Sequence, residues 1–408
     1  MPEKRELKTV GANLQKKKTF KFGTRAVHEI RVEALEQSPA MPSIYQTSTF
    51  AFQHAEDLGK KISSGPNNEV FVYTRGSNPT QRTLEKTVAA MEGSEDAICT
   101  CSGMAAITLI AITFLKQGDH AIAGNVTYGD THNLFENILS RFGIETSFVD
   151  TTKVQNIKKA LKPNTKMVFF ETPSNPLLRL TDIKAVSRLT KPKGIKLVVD
   201  NSLMSPLFQQ PIKHGADISV HSLTKYLNGH SDVLGGIILC SKKDRLALRS
   251  MLFTTGPVLD PHAAWLVLRG IKTLEVRMKK HEANALKIVE FLYNHPKVQN
   301  LRHPAIPGHP DSAIAKKQMS GMPAVLSFEL KGGYRKALAF INRLKLFKRA
   351  VSLGGVESLA EHPASMTHAI IPKAQRKAIG ITDSMVRLSI GIEDAEDLVL
   401  DLKQALRD

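Results

Sequence analysis

Through the middle of the chain, short apolar runs alternate with helix-period patterns, which predicts βαβ units around a largely parallel sheet. Three of those runs stop at polar residues: "AIC" gives way to Thr100-Cys101-Ser102-Gly103, "MVFF" to Glu171-Thr172, and "KLVV" to Asp200-Asn201. Ligands of open α/β sheets collect beyond the carboxyl ends of the strands, so these positions mark where a site is expected. The stretch "SNPTQRTLEKTVAAMEG" reads as a helix marked at both ends. Asn78 caps it, Pro79 fits the first turn, Leu84, Val88 and Met91 share a face, and Gly93 closes it. "AAITLIAITFL", from Ala105 to Leu115, is too short to cross a bilayer and ends at Lys116, so it predicts a buried core helix and no transmembrane segment.

Residues 1–70 have weak periodicity and are punctuated by Pro42, Gly65 and Pro66, which predicts an irregular arm. A sheet domain is expected over 71–275 and a C-terminal domain over 276–408. They are joined by a long helical pattern that starts at Asp260-Pro261, with Asp260 as cap. No internal repeat is visible. Glu393-Asp394 reads as the start of a C-terminal helix and not as a paired-carboxylate site.

Composition narrows the classes. At 408 residues, 42% hydrophobic and 23% charged, the chain has ordinary globular make-up and supports a substantial core, so a soluble protein is expected. The first thirty residues are basic but hold Glu3, Glu6 and Glu29 and lack an apolar signal core, so a cytoplasmic location is expected. A net charge of +18 raises the question of nucleic acid. The basic clusters are scattered and lack interleaved aromatics, so neither nucleic acid nor membrane is expected as a partner. Cys99, Cys101 and Cys240 have no zinc or disulfide spacing and are read as small core hydrophobes; His221 and His230 lack metal-ligand spacing, and no metal is expected.

Candidate chemistry centres on "GADISVHSLTKYLNGHSDVLGG", where Lys225 sits among Ser, Thr, His, Asn and Gly. A lysine attacks a carbonyl only as the neutral amine, which desolvation or a neighbouring cation favours. Ser222 and Thr224 offer hydroxyls suited to a phosphate. Ser102-Gly103-Met104 stand at a strand-to-helix turn whose N–H groups favour an anion. Asp200 sits where a carboxylate holds a heteroaromatic nitrogen protonated. Taken singly, each has an ordinary alternative: a surface lysine in a turn, a plain strand-to-helix connection, a helix cap. Together they are the parts that hold pyridoxal 5'-phosphate (PLP).

The ordered motifs "YTRGSNPT", "CSGMAAI", "VTYGDT", "FFETPSNP", "VVDNSLMSP", "SVHSLTKYLNGHSD", "AVSLGGVESLAEHPASMTH" and "VRLSIGIED" also resemble the Cys/Met-metabolism family of PLP-dependent enzymes, from about Phe22 to the C-terminus. That resemblance implies an aspartate-aminotransferase-like (fold type I) α/β architecture with 71–275 as the PLP-binding domain and the arm contacting a neighbouring subunit. On the family pattern Lys225 forms the Schiff base and Asp200 pairs with the ring nitrogen. Ser222, Thr224, Gly103 and Met104 bind the phosphate, and Tyr128 stacks on the ring. Tyr73 and Arg75 reach the phosphate of the neighbouring subunit in a homotetramer built as a dimer of dimers. Asn175, Ser358 and Arg387 fall where the family handles the cofactor O3' and the substrate carboxylate.

The implied activity is γ-elimination of L-cystathionine by a carbon–sulfur lyase, with Lys225 as base, Tyr128 as an acid of lowered pKa, and Glu357 meeting the distal ammonium of this small sulfur amino acid. Methionine γ-lyases typically carry a cysteine where this chain has Asp130, a departure that weighs against methionine. Methionine γ-lyase and the γ-replacement enzymes (cystathionine γ-synthase, O-acylhomoserine sulfhydrylase) remain alternatives, and a fold relative without turnover is a remote one.

Overall fold

A computed structural model of the chain describes residues 20–28, 30, 32, 39–63, 70–369 and 371–407. Seven strands form the larger sheet: β1 (Asp96–Thr100), β2 (His120–Gly124), β3 (Glu145–Val149), β4 (Thr165–Glu171), β5 (Lys196–Asp200), β6 (Ile218–Ser222) and β7 (Gly236–Cys240). Their spatial order is β1-β7-β6-β5-β4-β2-β3, and only β7 runs against the rest. The expected mostly parallel sheet is therefore present. Its strands are apolar because helices cover both faces. In register, Glu171 lies beside Asp200, which aligns the polar strand ends along one edge.

A five-stranded sheet, ordered β10-β11-β12-β9-β8, is built from β8 (Val298–Arg302), β9 (Val325–Leu330), β10 (Lys348–Arg349), β11 (Leu359–Glu361) and β12 (Met385–Ser389). All its pairings are antiparallel except β10 with β11. One apolar core joins this sheet to the β1–β7 edge of the larger one.

The capping logic holds. Asn78 accepts from the Thr80 N–H at the start of the helix Pro79–Glu92, and Gly93 ends it at φ 81°, where a side chain would be strained. Helix Gly103–Phe114 is the expected core helix. The pattern from Asp260 divides into two helices, Pro261–Ile271 and Leu274–Tyr293. The 1–70 stretch is less irregular than its periodicity suggests, since its described residues include helices Phe22–Val27 and Ala55–Ser63. Cys99 and Cys240 are buried, but Cys101 is exposed, because it follows the last residue of β1 instead of lying within it. Among the described residues no helix is long and apolar enough to cross a membrane, and no group of His, Cys, Asp and Glu could hold a metal ion.

Candidate active site

The anion-binding corner forms where β1 turns into the helix Gly103–Phe114. Ser102 caps that helix by accepting from the Ala105 N–H at 3.0 Å, while the first-turn N–H groups of Gly103 and Met104 have no intrahelical acceptor. Gly103 is pressed on the end of β6: a β-carbon there would lie 3.1 Å from Ser222 Cβ and 3.2 Å from its Oγ. Thr224 Oγ1 accepts from the Gly235 N–H at 3.1 Å, and the Ser222 N–H donates to Ser202 Oγ at 2.7 Å. Backbone donors and hydroxyls thus converge at a helix N-terminus, which suits a phosphate.

Lys225 follows β6 by one turn. Its Nζ donates to Ser352 Oγ at 2.7 Å. Burial pushes its pKa down to about 8, helped by the Arg387 guanidinium and opposed by Glu361 and Asp200. Ser352 is held at φ 85°, an uncommon conformation for a non-glycine residue. Two residues on, Gly354 is at φ 78°, and a β-carbon there would meet Tyr226 N at 2.8 Å, so only glycine lets this loop press against the lysine turn.

Arg387, on β12, is buried. Its Nη1 donates to Asn175 Oδ1 at 3.1 Å and pairs with Glu361 Oε1 at 3.0 Å, and its Nη2 donates to the Ser352 carbonyl at 2.5 Å. Ser352 therefore holds the lysine through its side chain and the arginine through its backbone.

Two carboxyls share the strand-end edge. Burial, then the Asp200 charge, raises Glu171 to about 8, while its Oε1 accepts from the Tyr128 N–H at 2.6 Å. Burial also raises Asp200, but Ser202, whose N–H donates to Oδ1 at 2.9 Å, pulls it back down together with His221 and Lys225. Two adjacent buried carboxyls do not both ionise readily, so both are pushed upward.

A desolvated lysine, a phosphate corner and a strand-end carboxylate lie at the ends of neighbouring strands, and the chain from residue 23 to 407 matches the model of the Cys/Met metabolism PLP-dependent enzymes. The chain belongs to that family. It is 46% identical over 393 residues to L-methionine gamma-lyase of Fusobacterium nucleatum subsp. polymorphum, covering 95% of this chain and 98% of that one. It is 45% identical over 364 residues to cystathionine gamma-lyase of Bacillus subtilis, covering 89% and 93%. The crystal structure of cystathionine gamma-lyase from Lactobacillus plantarum complexed with L-serine superposes with a TM-score of 0.89 at 37% identity, covering 95% of this chain and 98% of that one. The fold is thus that of the PLP-dependent fold type I enzymes, and the Gly103–Ser222 corner fits the phosphate of PLP because the missing β-carbon lets the Ser222 hydroxyl pack against the helix start, beside its free N–H groups.

Of the family-pattern residues, Lys225, Arg387 and Asn175 come together through the contacts given above, and Ser202 bridges Asp200 to Ser222. Others lie elsewhere. Ser358 is fully buried and turned away, donating to Glu393 Oε2 at 2.9 Å and accepting from the Gly391 N–H at 2.8 Å. Glu357 folds back over Gly355, where a β-carbon would lie 3.0 Å from its Oε2. Tyr73 and Arg75 line a separate cleft of ≈ 480 Å³. There the guanidinium stacks on Tyr73 and Phe253, at 5.2 and 4.8 Å from the ring centres.

Tyr128 requires a correction. Its pKa was expected to be lowered by cations, but within this chain burial raises it to about 12, reinforced by Asp130, Glu361 and Glu171, so the phenol keeps its proton. Sequence reasoning also missed Ser352, Glu361 and the raised pKa of Glu171. Glu171 had a signal, since it ends an apolar strand; Ser352 depends on a contact 127 positions away in the chain, and Glu361 on its pairing with Arg387 across two strands.

Proposed function

We propose that the chain is a carbon–sulfur lyase that carries out γ-elimination on L-cystathionine, releasing cysteine, 2-oxobutyrate and ammonia. The observation that carries this reading is the placement of Lys225, its pKa lowered by burial, beside Arg387, with Ser352 bound to both. PLP, when bound, supplies an aldehyde for the substrate amine and a ring that accepts the electrons released at Cα.

The remaining work belongs to the side chains. Gly103, Met104, Ser222 and Thr224 would hold the phosphate of PLP, and Asp200 would keep its ring nitrogen protonated. Lys225 would take the proton from Cα, pass it on to the bound cofactor and, neutral again, take one from Cβ, an exchange for which a pKa near neutrality is suited. Arg387 orients the α-carboxylate, helped by Asn175. Tyr128, which holds its proton at working pH, would be the group placed to give one to the sulfur leaving Cγ. Tyr73 and Arg75 contribute to the partner's phosphate site in a homotetramer, a role consistent with their separation from Lys225 in one chain.

Asp130 favours cystathionine: it is exposed, adjoins the Tyr128 hydroxyl, and offers a negative charge for a distal ammonium, the part that Glu357 was expected to play. Methionine is the second reading, favoured by Val351, which is 54% exposed next to Ser352 and would suit an apolar γ-substituent. Supplying L-cystathionine, L-methionine, L-homocysteine and O-acylhomoserine plus thiol separately, and measuring 2-oxobutyrate and thioether products, decides between them. Rapid 2-oxobutyrate from methionine and none from cystathionine would reverse the ranking.

A further inference from the structure

Glu361 has no part in the chemistry above, yet it is at the centre of the site. It lies opposite Arg387 in the register of β11 and β12, and the two are joined at 3.0 Å. Both are buried, Glu361 at 0% exposure and Arg387 at 2%. Glu361 Oε1 is occupied twice, by Arg387 and by the Thr367 hydroxyl at 2.9 Å. Glu361 Oε2 has no hydrogen-bond partner among the described residues, and neither has Arg387 Nε.

Buried polar atoms without partners are uncommon and unfavourable, so each needs an explanation. Here the two orphans are complementary, an acceptor and a donor within one ion pair. Arg387 also donates to the Ser352 carbonyl, and the Ser352 hydroxyl accepts from Lys225 Nζ, so one residue separates this pair from the lysine. A ligand that satisfies both atoms carries an ammonium and a carboxylate close together, as an α-amino acid does on a single carbon.

We infer that Glu361 is a positioning residue for the incoming amino acid, its Oε2 accepting from the substrate ammonium while Arg387 Nε donates to the carboxylate. The inference rests on the reading that the chain acts on an α-amino acid. It gives the site a preference for the zwitterion that Arg387 alone does not supply, since a guanidinium binds any carboxylate. The same oxygen could instead serve the Lys225 amine, and the test separates these two sources of ammonium.

The test uses the full-length enzyme with PLP fixed to Lys225 by borohydride, so that ligands bind without reacting. Calorimetry measures the Kd of L-norleucine and of its 2-hydroxy analogue, which lacks the ammonium. The parent should bind norleucine more tightly. Glu361→Gln keeps the shape and removes the charge, so norleucine binding should weaken about tenfold, with the hydroxy acid changed less than about twofold. Glu361→Asp, which withdraws the oxygen by one carbon, should give the same selective loss and serves if the first variant does not hold PLP. Equal weakening of both ligands would mean that Glu361 acts only by holding Arg387, and would overturn the inference. So would unchanged binding of both, including the case in which only the pH dependence of PLP capture by Lys225 shifts. Selective binding that persists in an enzyme making no 2-oxobutyrate would instead count against the lyase reading and leave this one standing.

Discussion

Lys225 Nζ and Ser352 Oγ, 127 positions apart in the chain, meet at 2.7 Å, and the serine that makes this contact is held at φ 85°. A strained residue at a functional centre persists only where its surroundings fix it, and here the Ser352 carbonyl is fixed in turn by Arg387. Replacing Ser352 separates tether from strain. Ser352→Ala should lower kcat by about tenfold, on the scale of one hydrogen bond to a charged group. Ser352→Gly should lose the same activity and yet be more stable than the alanine variant by about 1 kcal/mol, since glycine accepts positive φ freely. Steady-state kinetics and thermal melts of the two variants check this; equal melts would remove the strain.

The depressed pKa of Lys225 predicts how PLP is captured. Only the neutral amine attacks the aldehyde, so the rate at which apoenzyme takes up PLP should rise with pH and level off above about 8, not near the ordinary lysine value. Stopped-flow absorbance follows the reaction. Lys225→Ala should neither turn over nor develop the absorption of covalently held PLP.

Glu171 predicts a pH effect on stability. Its carboxyl is raised from 4.5 in the ordinary state to about 8 in the fold, so the folded chain binds the proton more tightly than the unfolded one. Its contribution is fully present below about pH 4.5 and is lost as pH rises through about 8. Glu171→Gln should therefore melt above the parent at pH 9 and lose that advantage at pH 4.5, measured on apoprotein.

The proposed sharing of the site between subunits predicts complementation. Lys225→Ala and Arg75→Ala proteins should each be inactive. Unfolded together and refolded as a mixture, they should recover about a quarter of parental activity, because half of the pairs are hybrids and each hybrid holds one intact site. No recovery would place Arg75 outside the partner's site.

Local rules made much of the fold readable. Asn78 and Asp260 are capping residues wherever they occur at a helix start, and apolar runs ending at Glu171 and Asp200 mark buried strands with polar tips. Such features depend on neighbours within one turn or one strand. The direction of side chains in the C-terminal sheet was not readable in this way. Residues alternate faces along β11, so within "ESLAE" the Ser358 hydroxyl goes to Glu393 while Glu361, three positions on, goes to Arg387. A motif carries no mark of which face looks toward Lys225.

The sequence by itself determined the strand ends, the caps, the lysine among hydroxyls and the family, because these follow from residue type and spacing. Only the tertiary structure decided that Ser352 holds Lys225, that Glu361 pairs with Arg387, and that Tyr128 keeps its proton. Each of those depends on burial and on charges brought from distant segments, and the local pattern of residues does not encode them.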